Sequence, residues 1–212
     1  MTCPLCSSPS FQLFDQDKNR HYSQCKSCCL VYVPRDELIS LDEEEKRYES
    51  HENSENDPGY ISYLKGTRDQ ILPFLKLRDQ GLDFGCGKTE LLSQLFLQND
   101  FSVDSYDVFF HPQEDIWQKK YDFIVLSEVI EHLREPLEIM KALSQILHPS
   151  GQIFIKTKFY PESSEKFKNW FYKRDKTHVQ FFNDQSMGQL ANILKAKNTE
   201  FLGQDLTRLQ FP

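Results

Sequence analysis

The sequence predicts an α/β protein: an open, mostly parallel, doubly wound sheet with a small metal-stabilised module at its amino end. Three observations predict it. Four cysteines stand as two CxxC pairs, Cys3 with Cys6 and Cys25 with Cys28, separated by eighteen residues. The run GLDFGCGKTELLSQL at 81–95 reads as a buried strand, a tight glycine turn and a helix start. Beyond it, strand-like and helix-like segments alternate as they do where parallel strands are joined by helical crossovers. A chain of 212 residues suits one full α/β domain with a small appendage. The divisions read as 1–40 for the metal module, 41–80 for a connector and 81–212 for the α/β domain.

Four soft thiolates on two tight knuckles match tetrahedral zinc, so Cys3, Cys6, Cys25 and Cys28 are the expected ligands. A closed set of four leaves no coordination position for substrate, which makes the predicted ion structural. The first 35 residues are too few to build a core alone, and metal binding would supply the missing folding free energy. Two disulfides are the alternative. No secretory signal precedes Cys3 and the chain is acidic, which favours the metal and a cytoplasmic location. Cys29 duplicates the last knuckle and could replace Cys28, although the CxxC spacing favours Cys28. Zinc ribbons also bind nucleic acid, but here Lys18, Arg20, Lys26 and Arg35 are offset by Asp15 and Asp17, a thin footprint for phosphates.

The whole chain carries 25 basic and 32 acidic residues, a net charge of -7, which disfavours nonspecific nucleic-acid binding. Residues 36–60 hold ten acidic and two basic side chains and read as a solvated, partly helical connector. No apolar run approaches the length of a membrane span.

The glycine turn places backbone N–H groups and the positive end of a helix beside a ligand. Nucleoside triphosphates, dinucleotides and S-adenosylmethionine are all bound this way. A P-loop needs four residues between its first glycine and Gly87-Lys88-Thr89, which puts Leu82 where that glycine belongs and Asp83 inside the phosphate wrap. A dinucleotide fingerprint would put its third glycine at position 90, where Glu90 stands; this weakens that reading without excluding it. Cys86, inside the turn, reads as a small packing residue and not a nucleophile.

The next run, FSVDSYD at 101–107, alternates like a strand and ends in Asp107, placed either to accept the ribose hydroxyls of a nucleoside or merely to cap a surface turn. A third strand follows in YDFIVLS at 121–127. In EVIEHLREPLEIMKALSQIL at 128–147, Leu133, Leu137, Met140 and Leu147 predict one helical stripe. HPSGQIFIKTK at 148–158 then predicts a Pro-Ser-Gly turn and a further strand.

Together LDFGCG, SYD, YDFIVLSEVIEHLREP and LHPSGQIFIKT resemble, in order and spacing, the motifs of the Rossmann-like S-adenosylmethionine-dependent methyltransferases, here with an amino-terminal four-cysteine zinc ribbon. FKNWFYKRDKTHVQFFNDQSMGQLA at 167–191 is similar to a segment of one subgroup, so the resemblance covers most of 81–212. It implies that Asp83, Gly85, Cys86, Gly87, Asp107 and Ser127 bind the cofactor. Only thirteen residues separate Asp107 from Tyr121, too few for the helix and strand the family places there. A reduced loop with Asp115, Ile116 and Trp117 is then the expected adenine contact.

Between 156 and 176 the charge reverses: Lys156, Lys158, Lys166, Lys168, Lys173, Arg174 and Lys176 outnumber Glu162, Glu165 and Asp175, among interleaved aromatics. The segment is expected to form an acceptor lid, and its positive balance suggests an anionic, phosphorylated or nucleotide-linked small molecule; an ordinary solvated loop is the alternative. His178 is the first candidate for a base, His132, on the predicted helix, the second; Tyr172 and Asp175 are further candidates for chemistry or positioning. The expected activity is methyl transfer from S-adenosylmethionine to a small acceptor, yielding S-adenosylhomocysteine. Two rivals remain: a non-catalytic S-adenosylmethionine-binding protein, and a ribbon that recruits the domain to protein or RNA.

Overall fold

The computed structural model describes residues 2–49 and 56–212; part of the predicted connector, 50–55, lies outside them. The cysteine segment forms an antiparallel hairpin of β1 (Phe11–Gln16) and β2 (His21–Cys25), followed by β3 (Val31–Tyr32). Helices α1 (Leu41–Glu49) and α2 (Pro58–Ile71) come next. Asp57 starts α2 by accepting from the amides of Gly59 and Tyr60, with Pro58 at the first helical position.

The α/β domain then runs β4 (Gln80–Phe84), α3 (Leu91–Leu97), β5 (Ser102–Tyr106), β6 (Tyr121–Ser127), α4 (Pro136–Gln145), β7 (Leu147–Lys156), α5 (Ser164–Lys168), β8 (Gln180–Phe181), α6 (Asp184–Ile193), β9 (Asn198–Leu202) and β10 (Leu206–Gln210). Its sheet has the order β5-β4-β6-β7-β10-β9. The first four strands are parallel, and β10 and β9 are added antiparallel. Alternation along the central strands divides the core. Phe123, Val125 and Phe154 face α2 and α3 through Leu64, Ile71, Leu92 and Phe96. Ile124, Leu126, Ile153 and Ile155 face α4 and α6 through Met140, Leu143, Met187 and Leu190. Helices on both faces make the sheet doubly wound and Rossmann-like, as the sequence predicts. No helix among the described residues is long and apolar enough to cross a membrane.

Three local features refine the expectations. Between Asp107 and Tyr121 there is only a 3₁₀ turn over Glu114–Gln118, so β5 is the sheet edge and the loop is indeed reduced. The predicted helix over 128–147 is shorter. Residues 128–135 form turns, α4 begins at Pro136, and Leu147 opens β7. Glu128 has φ 56°, and Glu135, preceding a proline, has φ −121° and ψ 67°; neither continues a helix. His132 therefore lies on a turn and not on a helix. The Pro-Ser-Gly segment is a bulge inside β7: the pairing shifts from Tyr121 opposite Leu147 to Phe123 opposite Gln152, with Ser150 left-handed at φ 63°.

The ribbon is not a free appendage. Its sheet has the order β1-β2-β3-β8, so the fourth strand comes from the segment that links β7 to the last strands of the α/β sheet. Tyr22, Val31 and Val33 pack with Tyr160, Phe167, Tyr172, Val179 and Phe181 in one aromatic cluster.

Candidate active site

The carboxyl ends of β4, β5 and β6 converge on the glycine turn. Gly85 (φ 81°) and Gly87 (φ 67°) are both left-handed, for different reasons. A Cβ on Gly85 would lie 2.4 Å from Val129 Cγ2, so this glycine lets the turn after β6 pack close. A Cβ on Gly87 would meet nothing within 4 Å. That face is open to a ligand. The Gly87 amide donates to Asp107 Oδ2 at 3.1 Å, and Asp107 Oδ1 accepts from the amides of Phe109 (2.9 Å) and Phe110 (3.2 Å). Asp107 thus stands against the turn with its orientation fixed by three amides. The Oγ of Ser127, at the end of β6, is buried without a hydrogen-bond partner, a polar atom left for a ligand to satisfy.

Asp83 is placed beneath the turn. It is buried, accepts from Ser93 Oγ at 3.1 Å, and Ser93 in turn meets Ser105 at 2.7 Å. Burial pushes its carboxyl up to about 7. These contacts tie β4, α3 and β5 together, so Asp83 supports the turn from below. The candidates in the reduced loop separate: Ile116 is fully buried, Trp117 packs against Phe84 and Tyr106, and the exposed Asp115 pairs with Lys119 at 3.0 Å. Nothing in the contacts of Asp115 ties it to the glycine turn.

From Val129 the chain passes into a second constellation. Glu131 is fully buried, and its Oε1 accepts from the Tyr172 hydroxyl. Its Oε2 has no partner. Burial, and then the charge of Glu128, push the Glu131 carboxyl up to about 8. Glu128 accepts from Tyr63 (2.7 Å) and Tyr172 (2.9 Å). The His132 and His178 rings lie 4.6 Å apart, and His178 lies 4.0 Å from the ring of Tyr172. His132 Nδ1 lies 3.1 Å from the Thr177 carbonyl and His178 Nδ1 2.7 Å from the Tyr172 carbonyl. A carbonyl only accepts, so each imidazole donates from Nδ1. The two predicted histidines, 46 residues apart in sequence, meet here. Tyr172 lies between the two glutamates. Burial, then the charge of Glu131, hold its phenol well above its ordinary range, and its hydroxyl is a donor to both glutamates.

Sequence reasoning quoted EVIEHL but singled out only its histidine; the paired glutamates were the signal available. It also missed what α1 and α2 do. Tyr48 on α1 packs against both His132 and Phe109, each at 5.4 Å, and so spans from the cluster to the loop after Asp107. Glu44, in the acidic run, is buried and accepts from Arg134 at 2.6 Å. The connector is therefore docked over the site, with Tyr63 reaching Glu128.

Two of the seven basic residues of the predicted acceptor lid point inward, while Lys166, Lys168, Arg174 and Lys176 are exposed. Lys173 is buried, ion-paired with Asp15, and lies 4.5 Å from the Tyr22 ring centroid. Lys156 is buried in a 2.8 Å pair with Asp205. Their charges are matched inside the protein because both join segments together, and they offer nothing to an anionic acceptor. Asp175 is a positioning residue: its Oδ1 accepts from the amide and hydroxyl of Thr177 at 3.0 and 2.8 Å. Arg20 holds the same loop. Its guanidinium donates to the carbonyls of Lys173, Asp175, Lys176 and His178 at 2.5, 3.2, 3.0 and 3.1 Å.

At the amino end the Sγ atoms of Cys3, Cys6, Cys25 and Cys28 lie within 4.8 Å of one another, with Cys3 to Cys28 and Cys6 to Cys25 both at 3.5 Å. Tetrahedral zinc with bonds of about 2.3 Å needs sulfurs roughly 3.8 Å apart, so the four fit the ion. Each CxxC is followed by a left-handed residue, Ser7 (φ 59°) and Cys29 (φ 60°). Cys29 is thus the turn residue of the second knuckle, and Cys28 the ligand position.

Residues 59–196 match a family model described as a methyltransferase domain. Over 71 residues, 34% of this chain, the sequence is 28% identical to a ubiquinone biosynthesis O-methyltransferase of Histophilus somni; the match spans 28% of that relative's length. Among solved structures, a methyltransferase of calicheamicin biosynthesis in its SAH-bound form superposes with a TM-score of 0.52 at 11% identity, covering 72% of this chain and 55% of that one. A magnesium protoporphyrin IX methyltransferase from Synechocystis with bound SAM gives 0.52 at 13% identity, over 84% and 95% of the two chains.

Proposed function

The chain belongs to the methyltransferase-domain family, and on that premise we propose that it transfers the methyl group of S-adenosylmethionine to a hydroxyl of a small molecule, releasing S-adenosylhomocysteine. The observation that carries this reading is the open left-handed face of Gly87 with Asp107 bonded to its amide. Backbone can approach a ligand there without a side chain between, and an oriented carboxylate waits to accept hydroxyl protons. Ser127 Oγ supplies a further buried polar atom at the same rim. The solved neighbours that hold SAH or SAM support the choice of ligand. When bound, the cofactor brings an electrophilic methyl carbon whose reactivity the protein has only to orient.

The acceptor is met by Glu131, His132 and His178. An oxygen being methylated must give up its proton, and His132 or His178, each oriented by a bond from Nδ1 to a backbone carbonyl, is the group to receive it. Tyr48 and Tyr63 help to close the space and exclude water. The O-methyltransferase relative agrees with a hydroxyl acceptor. Lys156 and Lys173 are held in buried pairs, which leaves Lys166, Lys168, Arg174 and Lys176 as the exposed cations of that segment. The four cysteines would hold zinc in a closed, structural site.

The test is calorimetric binding of S-adenosylmethionine and S-adenosylhomocysteine, beside ATP and NAD. Both sulfur nucleosides should bind, and Asp107→Ala should weaken them roughly 10- to 100-fold, as expected for charged hydrogen bonds of about 1.5–3 kcal/mol. Binding of ATP or NAD with none of either sulfur nucleoside would overturn the assignment.

A further inference from the structure

We propose that Glu128 and Glu131 share one proton, and that Tyr172, anchored on this protonated pair, is the positioning residue that orients His178. The inference rests on the reading of His178 as a group on the acceptor side and deepens it. The Tyr172 hydroxyl meets Glu131 Oε1 and Glu128 Oε2, the latter at 2.9 Å. A phenol has one hydrogen to give, and an ionised carboxylate only accepts. Two ionised glutamates on that hydroxyl would have to divide one hydrogen between them and would bring two like charges together inside the protein. One proton on the pair relieves both.

The unequal surroundings of the two carboxyls say which of them holds it. Glu128 is only half-buried and accepts from a second hydroxyl, that of Tyr63, at 2.7 Å. Glu131 is fully buried, and its Oε2 has no hydrogen-bond partner among the described residues. There, a bare oxygen of an ionised carboxylate costs far more than the carbonyl oxygen of a neutral acid. Glu131 is therefore the acid: it donates to the Tyr172 oxygen, and Tyr172 gives its own hydrogen to Glu128. Burial, and then the charge of Glu128, push Glu131 up to about 8, the direction this arrangement requires. The groups facing the pair from the packed elements leave that direction in place. Tyr48 from α1 and Tyr60 and Tyr63 from α2 are phenols that burial keeps neutral. Lys156 from β7 is committed to Asp205 at 2.8 Å, and His132 is held by the Thr177 carbonyl.

Tyr172 meets His178 twice. Its carbonyl accepts from His178 Nδ1 at 2.7 Å, and the two rings lie 4.0 Å apart. The glutamates hold the hydroxyl end of the same residue, so one side chain carries their anchor to the imidazole. As pH rises through about 8, Glu131 gives up its proton and two carboxylates are left competing for a single hydrogen. Tyr172 then loses its anchor, and His178 loses the ring and carbonyl that orient it.

The test begins with infrared spectroscopy of the full chain, its cysteine site saturated by zinc, across about pH 6 to 10. A protonated-carboxyl band that Glu131→Gln lacks should be present at the low end and vanish through about pH 8; Asp83→Asn identifies the separate band of Asp83. Nuclear magnetic resonance of the chain labelled at its imidazole nitrogens then follows the His178 Nδ1 proton, assigned by its loss in His178→Ala. That signal should fade over the same range in the wild type and persist through it in Glu131→Gln, whose amide still donates to Tyr172 and cannot ionise. Tyr172→Phe keeps the ring and carbonyl without the hydroxyl and should weaken the signal at every pH. Each variant should bind S-adenosylhomocysteine within about threefold of the wild type, which shows that it is folded. Absence of the Glu131 band at about pH 6 overturns the proposal, as does equal fading in Glu131→Gln and the wild type, or a signal untouched by Tyr172→Phe. Failure of S-adenosylhomocysteine to bind the wild-type chain overturns instead the cofactor reading, whatever the carboxyl band does.

Discussion

Replacing Arg20 with alanine tests how the ribbon supports the site. Arg20 is 6% exposed, and its guanidinium spans four backbone carbonyls of residues 173–178. Two of those bonds, to Lys173 and His178, are buried, so their carbonyls would be left without a partner. At about 1–3 kcal/mol for each orphaned group, the expected loss is centred near 4 kcal/mol; the two part-buried carbonyls can turn to water and add little. Against a total of about 5–15 kcal/mol this is large, and at roughly 2–4 °C per kcal/mol for a chain of this size the thermal midpoint should fall by about 8–16 °C. Arg20→Lys keeps the charge but lacks the planar fork, and one ammonium cannot span all four carbonyls, so it should recover less than half of the loss. Because the carbonyl of His178 is among the four, amide exchange across 173–178 should quicken in both variants, while binding of S-adenosylhomocysteine at the glycine turn stays within about threefold. Denaturant and thermal unfolding measure the first effect and calorimetry the second. A change below about 0.5 kcal/mol in Arg20→Ala, or full recovery in Arg20→Lys, would refute the reasoning.

The two glycines of the turn should separate stability from binding. Gly85→Ala adds a left-handed penalty of about 1–2 kcal/mol to an overlap with Val129 and should cost about 2–4 kcal/mol in denaturant unfolding, whereas Gly87→Ala should cost only the first amount yet weaken S-adenosylhomocysteine at least tenfold. Asp83 gives a pH signature. Its folded carboxyl lies near 7 against an ordinary 3.8, so the native state holds its proton more tightly; the contribution is full below about pH 4 and is lost as pH rises through 7. The difference in stability between the wild-type chain and Asp83→Asn should therefore decline across that window by at most about 4 kcal/mol, and a flat difference would show that the carboxyl titrates normally. Removing zinc with a chelator, or by Cys3→Ser with Cys6→Ser, should lower the thermal midpoint and loosen the loop carrying His178 in hydrogen exchange; unchanged protection there would mean that the ribbon and loop are uncoupled.

What the sequence showed and hid divides along the range of the interactions. The knuckles, the glycine turn, Asp107 and the shortened loop are set by residues close in the chain, and they are where their spacing placed them. The helix expected over 128–147 forms only from Pro136 to Gln145, because Val129 packs on Gly85 with Glu128 left-handed and Pro136 bars a helix before it. Charge counts carry no direction, so the basic segment did not show which of its cations face inward. Lys173 turns inward because Asp15, 158 residues away, lies there beside the ring of Tyr22. The same blindness hid Arg20 and Glu44, each counted as a surface charge and each buried against a partner from a distant segment.

These long-range contacts also bear on why a zinc ribbon is joined to a methyltransferase domain. A recruiting module needs a tether and a free face, and it should leave the catalytic half indifferent to its presence. Here β8 completes the ribbon sheet, while the amides of Val179 and Gln180 donate to the carbonyl of Glu131, both at 2.9 Å. The residues that close the ribbon are thus bonded directly to the turn carrying Glu131 and His132, and Arg20 holds the loop carrying His178. If the four cysteines hold zinc, the rigidity that the ion gives this segment would be passed to the turn carrying Glu131 and His132 and to the loop carrying His178. An ion bound at one end of the chain would then help keep together two histidines that the sequence leaves 46 residues apart.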